Sequence, residues 1–247
     1  MKKTVRWMTI LGLTACLLIA PFPRAYTGTC AAESADGFRT MLHDRILEVL
    51  DSWPAEDQYA VMFFIYPNAY NQYGGYANLP EFSMLYKCES DMGQNPNPYF
   101  SASDGDEERW NPAFWDCSQQ RQVIGFDAPN PVADALIGWY ESTGVQNIGE
   151  EDADSSYDGN MQYIGNGPNG LPELLQLVTG IARELQSNGT IEAKFGRRIP
   201  IILADFECTW YMVKATREAN PDGEADAYIL THACAGIGWK RTAFNDG

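Results

Sequence analysis

Residues Gln58–Pro67 read QYAVMFFIYP, and the run from Tyr59 to Tyr66 is almost continuously apolar. Its length and its aromatic and β-branched content fit a strand buried on both faces rather than one half-exposed to water. Such a strand belongs in the middle of a sheet covered by helices. Upstream, Phe38, Leu42, Ile46, Val49, Leu50 and Trp53 recur at three- and four-residue spacing, which predicts a helix over Ala35–Trp53. Pro54 ends it, and His43 lies off the apolar stripe as a solvent-facing residue. Downstream, Asn68–Pro80 is turn chemistry, rich in Asn, Gly and Pro. Glu81–Glu89 (EFSMLYKCE) alternates as a second strand and pairs with the first as a long hairpin.

Further out the pattern changes. Ser90–Glu108 reads as loop, and Pro112–Cys117 as a short helical turn with Asn111 as its cap and Pro112 at its first position. Helices are expected over Pro131–Ser142, Asn169–Ser187 and Cys208–Ala219. Thr190–Gly196 and Arg197–Glu207 read as strands, and Ala227–Ile237 fits a strand or a helix equally well. There is no repeat and no second composition regime. The expectation is a single α/β or α+β domain over residues 33–247, with a mostly antiparallel or mixed central sheet and packed helices. Loop inserts fall near 90–108 and 150–167.

The start of the chain resembles an export signal. Lys2, Lys3 and Arg6 precede an apolar run from Trp7 to Phe22, and the polar stretch RAYTGTCAAES follows. The run is short for a membrane span. Residues 1–32 are read as a signal peptide cut near Ala31 or Ala32, giving a periplasmic or secreted protein. The competing cut follows LTA (Leu13–Ala15), which would leave a lipid anchor at Cys16. Removing residues 1–32 leaves 13 basic against 33 acidic residues, a formal charge of −20. Such a field repels nucleic acid and anionic lipid and suits a basic protein partner.

Four cysteines remain beyond the signal region: Cys88, Cys117, Cys208 and Cys234. Four allow three pairings. Cys88–Cys117 and Cys208–Cys234 are favoured, because each closes a local loop. No CxxC spacing occurs and the two histidines are far apart, which argues against zinc.

Three motifs have chemistry to weigh. Asp154, Ser156, Asp158 and Asn160, with Gly159, resemble the first half of a calcium loop, but the twelfth position is Gly165 instead of a bidentate glutamate. GNGPNG (Gly165–Gly170) matches a phosphate-binding pattern without the strand that should precede it, so it reads as a helix-entry turn and no cofactor is expected. Asp205 and Glu207 stand at the end of the 199–206 strand, where α/β enzymes often place catalytic groups, and two carboxylates there would suit a hydrolase. Tyr70, Tyr73 and Tyr76 sit in the Gly- and Asn-rich loop and form a candidate contact surface for protein or sugar.

Three segments carry a resemblance: QYAVMFFIYP after the first helix, ERWNPAFWDC mid-chain, and IPIILADFECTWYMVKATREANPDG late in the chain. Together they resemble the bacterial domain of unknown function four-three-zero-three family. The residues in question are Tyr59, Phe63 and Tyr66, then Arg109, Trp110, Pro112 and Trp115, then Trp210, Asn220 and Pro221. The resemblance implies a fold and no reaction. By analogy with families suspected of neutralising toxins, it suits a protein that neutralises a basic partner. The sequence therefore points to an exported, acidic, non-enzymatic interaction domain. A periplasmic hydrolase and a calcium-stabilised binding domain are its rivals.

Overall fold

A computed structural model describes residues 35–93, 105–126, 130–152, 156–159, 163–207 and 209–234. In chain order these form α1 (Ala35–Ser52), β1 (Gln58–Pro67), a small hairpin of β2 (Gln72–Tyr73) and β3 (Tyr76–Ala77), β4 (Pro80–Cys88) and α2 (Gly105–Trp110). Then come β5 (Arg121–Ile124), α3 (Pro131–Thr143), α4 (Leu171–Ser187), α5 (Thr190–Phe195), β6 (Ile201–Ala204), α6 (Trp210–Ala219) and α7 (Asp226–Cys234). The result is an α+β domain on a mixed four-stranded sheet of order β5-β4-β1-β6. The hairpin expected from the sequence is present: β1 and β4 run antiparallel, with Phe63 opposite Met84. β6 lies on the other side of β1 and parallel to it, with Phe64 opposite Ala204.

β1 is buried on both faces, as its composition requires. Val61, Phe63 and Ile65 point into the larger core with Phe82, Met84, Ile201 and Leu203, under side chains of α1, α3, α4 and α6. Ala60, Met62 and Phe64 point the other way with Leu85, Ile202 and Ala204, against Trp110, Trp115, Tyr228 and Ile229. The two covers are unequal. Five helices, α1 and α3–α6, contribute to the core on the first face, whereas α2, α7 and the Trp110–Trp115 segment supply most of the second.

Two expectations from the sequence are corrected, and one left open is decided. Thr190–Gly196 is a helix, because Gly189 and Gly196 both adopt the left-handed conformation and bracket one turn. Ile191 and Phe195, four apart, are its buried pair. The 90–108 insert contains α2, and a short fourth strand, β5, follows the Trp110–Trp115 segment. Ala227–Ile237 resolves as helix up to Cys234.

β6 is an edge strand, and its outer side is closed by side chains of α6 instead of another strand. The Thr216 hydroxyl accepts from Leu203 N at 2.9 Å and donates to Leu203 O at 3.0 Å. One turn later, Asn220 Oδ1 accepts from Ile201 N at 2.9 Å and its Nδ2 donates to Ile201 O at 2.7 Å. Residues four apart on a helix match alternate residues of a strand, so one helix face replaces a ladder. This is the structural role of Asn220, and the following Pro221 marks the end of α6. No helix among the described residues is long and apolar enough to cross a membrane.

Candidate binding surface

The carboxyl ends of β1 and β6 lie side by side, the place where open α/β sheets present ligand-binding loops. Phe206, two residues past β6, follows Ile202 and Ala204 in strand alternation, yet it is 68% exposed. The second face of the sheet loses its helical cover there. Its ring stands edge-on to Phe64, with centroids 4.8 Å apart, and 4.6 Å from Tyr66. The Tyr66 hydroxyl donates to Glu81 Oε2 at 2.8 Å, and Asn68 Nδ2 donates to Glu81 Oε1 at 2.7 Å. Burial and the Glu81 carboxylate hold the Tyr66 phenol well above its ordinary pKa. Next along the chain, Asn68 Oδ1 accepts from Tyr70 N at 3.0 Å, and the turn leaves Tyr70 97% exposed. The surface thus carries a fixed aromatic pair, a projecting Phe206, and the carboxylates of Glu81 and Glu207 along its margin.

The three loop tyrosines separate. Tyr70 projects, but Tyr73 donates to Asp134 Oδ1 at 2.8 Å and packs on Phe126, and Tyr76 donates to Glu141 Oε1 at 3.0 Å. The small β2–β3 hairpin folds both rings back toward α3, so only Tyr70 of the three projects fully into solvent.

Asp205 and Glu207 do not form a catalytic pair. Asp205 is 4% exposed, and its Oδ1 accepts from Glu207 N at 3.0 Å and Thr209 N at 3.2 Å. Its Oδ2 accepts from the Thr209 hydroxyl at 2.6 Å. The carboxylate is committed to the turn that launches α6. Glu207 is exposed outside that turn. Two open depressions, of about 410 and 680 Å³, border α3, and neither touches Asp205 or Glu207.

Where they are described, the other candidate residues make contacts within the fold. Of the calcium-like loop, Asp154 and Asn160 lie outside the described residues. Ser156 is buried, its hydroxyl within 2.8 Å of Glu151 Oε1 and of Asp152 O. Asp158, two residues on, is partly buried. Among the described residues no cluster of His, Cys, Asp or Glu is arranged to hold a metal ion. At Gly165–Gly170, Glu173 Oε2 accepts from Gly170 N at 3.1 Å. The carboxylate occupies the α4 N-terminus, where a phosphate would sit. Gly170 itself is required, since its φ is +98° and a Cβ would come within 2.9 Å of Tyr140. Trp210 is partly buried and donates through Nε1 to Gly165 O at 3.2 Å.

The Arg109–Ser118 segment is an anchor. Trp110 is 6% and Trp115 1% exposed, and both rings stand edge-on to Tyr59. Arg109 O accepts from the Tyr59 hydroxyl at 2.7 Å and from Trp115 Nε1 at 3.0 Å. The Arg109 guanidinium lies 4.4 Å from the Tyr59 ring centre and bonds Glu89 at 2.9 and 2.7 Å. Pro112 opens a single tight turn capped by Asn111, whose side chain accepts from Ala113 N at 3.0 Å. Beneath it, the buried Lys87 ammonium donates to Phe114 O at 2.6 Å and reaches Glu108 O at 3.4 Å. Neither Lys87 nor β5 was singled out by the sequence reading, although a lysine at an inward strand position is a readable signal for a buried cation.

No disulfide joins Cys88 to Cys117 in the structure; both are thiols. Cys208 and the Cys234 side chain lie outside the described residues.

Buried phenols set an alkaline limit. Burial raises the pKa of Tyr59, Tyr66, Tyr140 and Tyr163, and that of Tyr211 to about 12. A folded-state pKa above the unfolded value near 10 gives stability that is complete below pH 10 and lost as pH rises past it. The Lys87 shift is of opposite sign, because burial lowers its pKa, and one group does not offset five. The fully buried Tyr140 contributes to this loss, because its phenol ionises far more readily in the unfolded chain than in the folded one. The urea midpoint is expected to hold from pH 8 to 9.5 and to fall sharply by pH 11. The tyrosinate absorbance contributed by these five rings should rise together with unfolding rather than ahead of it.

No family model, curated protein or solved structure matches the chain.

Proposed function

We propose that this chain is an exported interaction domain that works by contact rather than by catalysis. In this reading it engages another protein through the Phe206 surface. The observation that carries the reading is Phe206 itself: a large apolar ring, held by Phe64 and Tyr66, that is mostly exposed to solvent. Ordered, exposed aromatics are the usual anchors of protein interfaces. The acidic margin and the formal charge of −20 on residues 33–247 favour a partner that brings apolar groups flanked by Lys or Arg. Catalysis at Asp205 is disfavoured because every oxygen of that carboxylate is already used in the α6 turn.

The test is a pull-down from an extract of the exported fraction, with wild type and Phe206→Ser run side by side at low and high salt. The expected result is a stoichiometric partner that weakens at high salt and is lost at least tenfold with Phe206→Ser. The melting temperature of the variant should stay within about 2 °C of wild type, since the ring is mostly exposed. Equal recovery of the same proteins by the variant at both salts would refute the reading.

A further inference from the structure

We infer that Glu81 is the positioning residue of the candidate surface: its one carboxylate fixes both the ring that carries Phe206 and the turn that projects Tyr70. The inference deepens the binding reading and rests on it.

Strand pairing places Glu81 there. Tyr66 and Glu81 are opposite partners in the β1–β4 ladder, next to the last rung, where Pro67 faces Pro80. Directly opposed residues share a face of the sheet. Farther along the same face of β4, Ser83 and Leu85 are buried, whereas Glu81 is half-buried. The two oxygens of its carboxylate go separate ways. Oε2 accepts from the Tyr66 hydroxyl at 2.8 Å, and Oε1 accepts from Asn68 Nδ2 at 2.7 Å. Hydrogen bonds to an ionised acceptor are shorter and stronger than neutral ones.

Each bond leads to one exposed ring. The Tyr66 ring stands 4.6 Å from Phe206, and with its hydroxyl held it presents a fixed edge to that ring. Asn68 has its Nδ2 on Glu81 and its Oδ1 on Tyr70 N at 3.0 Å. Both ends of one amide are therefore set by Glu81, and Asn71 N closes the turn by donating to Asn68 O at 3.1 Å. Without the carboxylate, the Asn68 side chain is free to rotate and Tyr70 N loses its acceptor. The loop as a whole has a separate tie: Asn71 Oδ1 accepts from Leu79 N at 3.1 Å, and its Nδ2 donates to Leu79 O at 3.0 Å. Removing Glu81 thus loosens the two rings and leaves the domain folded. Rings ordered before encounter bind more tightly, because less freedom is lost on contact.

The test compares amide hydrogen exchange in the full chain with Glu81→Ala and Glu81→Gln. In Glu81→Ala the Tyr70 amide should exchange about tenfold faster, while the Leu79 amide and those of β1 keep their protection. Glu81→Gln still offers an acceptor to Asn68 and a partner to the Tyr66 hydroxyl, so it should restore most of the Tyr70 protection. Asn68→Ala, a loop substitution that leaves β4 untouched, should speed Tyr70 exchange as much as Glu81→Ala does. In the pull-down, Glu81→Ala should recover about fivefold less partner than wild type. Unchanged Tyr70 exchange in Glu81→Ala would overturn the inference alone. So would full recovery of the partner by Glu81→Ala where Phe206→Ser loses it. Full recovery by Phe206→Ser as well would bring down the binding reading and this inference with it.

Discussion

Asn220→Ala is expected to lower the unfolding free energy by about 3–5 kcal/mol, a shift of roughly 10 °C in melting temperature for a domain of this size. The side chain is buried and makes four bonds. Oδ1 accepts from Ile201 N and from Gln186 Nε2, and Nδ2 donates to Ile201 O and to Thr216 O at 2.7 Å. Alanine leaves the N–H and C=O of an edge strand buried without partners, and it also frees one side of Gln186, which additionally donates to Ile199 O at 2.8 Å. Orphaned buried groups are costly because the alternative, water, has been excluded. Thr216→Val tests the same device more gently. It keeps the shape and removes both bonds to Leu203, for about 1–3 kcal/mol. Lys214→Ala, on the exposed face of α6, should stay within about 0.5 kcal/mol. Urea denaturation of the three variants checks the order. If Asn220→Ala matched Lys214→Ala, edge closure by α6 would be wrong.

Trp115→Ala is the second large effect, with an expected loss of about 3–5 kcal/mol. Its ring is almost wholly buried between Tyr59, Trp110 and the second face of the sheet, and its N–H is bonded to Arg109 O. Removing it opens a cavity under the thinner of the two covers, where α2 and α7 have little else to pack against. Arg109→Ala should cost less, because its pairing with Glu89 is partly open to solvent and removing it opens no core cavity. A calorimetric scan in which Arg109→Ala is the more damaging of the two would show that the segment is held by its charge and not by its tryptophans.

Much of this was readable in the chain. β1 announced itself because a strand buried on both faces has no room for polar residues, and α1 and α4 because their apolar positions recur at helical spacing. The Asn111–Pro112 turn was equally plain, since cap and proline each act locally. Thr190–Gly196 misled because seven residues are too few to show a period. The bracketing Asn188-Gly189 and Gly196 were the better signal. β5 was missed for the same reason of length: Val123 and Ile124 become a strand only by pairing with β4.

The candidate surface was less legible. Alternation through Ile202 and Ala204 assigns Phe206 to a covered face, and nothing local in the sequence shows that the ring is left 68% exposed. Tyr73 and Tyr76 looked like contact residues because their loop composition does not show that the hairpin returns to Asp134 and Glu141. Asp205 looked catalytic by position, and its actual partners, Thr209 and Glu207 N, follow it directly in the sequence as an ordinary aspartate turn before a helix.

The central claim is a division of labour among aromatics: Trp110 and Trp115 hold the fold, and Phe206 and Tyr70 face outward to bind. Hydroxyl-radical footprinting, with the protein alone and with its captured partner, tests this most directly. The account predicts rapid oxidation of Phe206 and Tyr70 in the isolated protein, protection of Phe206 in the complex, and little modification of Trp110 or Trp115 in either. Rapid oxidation of Trp110 in the isolated protein, or unchanged labelling of Phe206 in the complex, would contradict it.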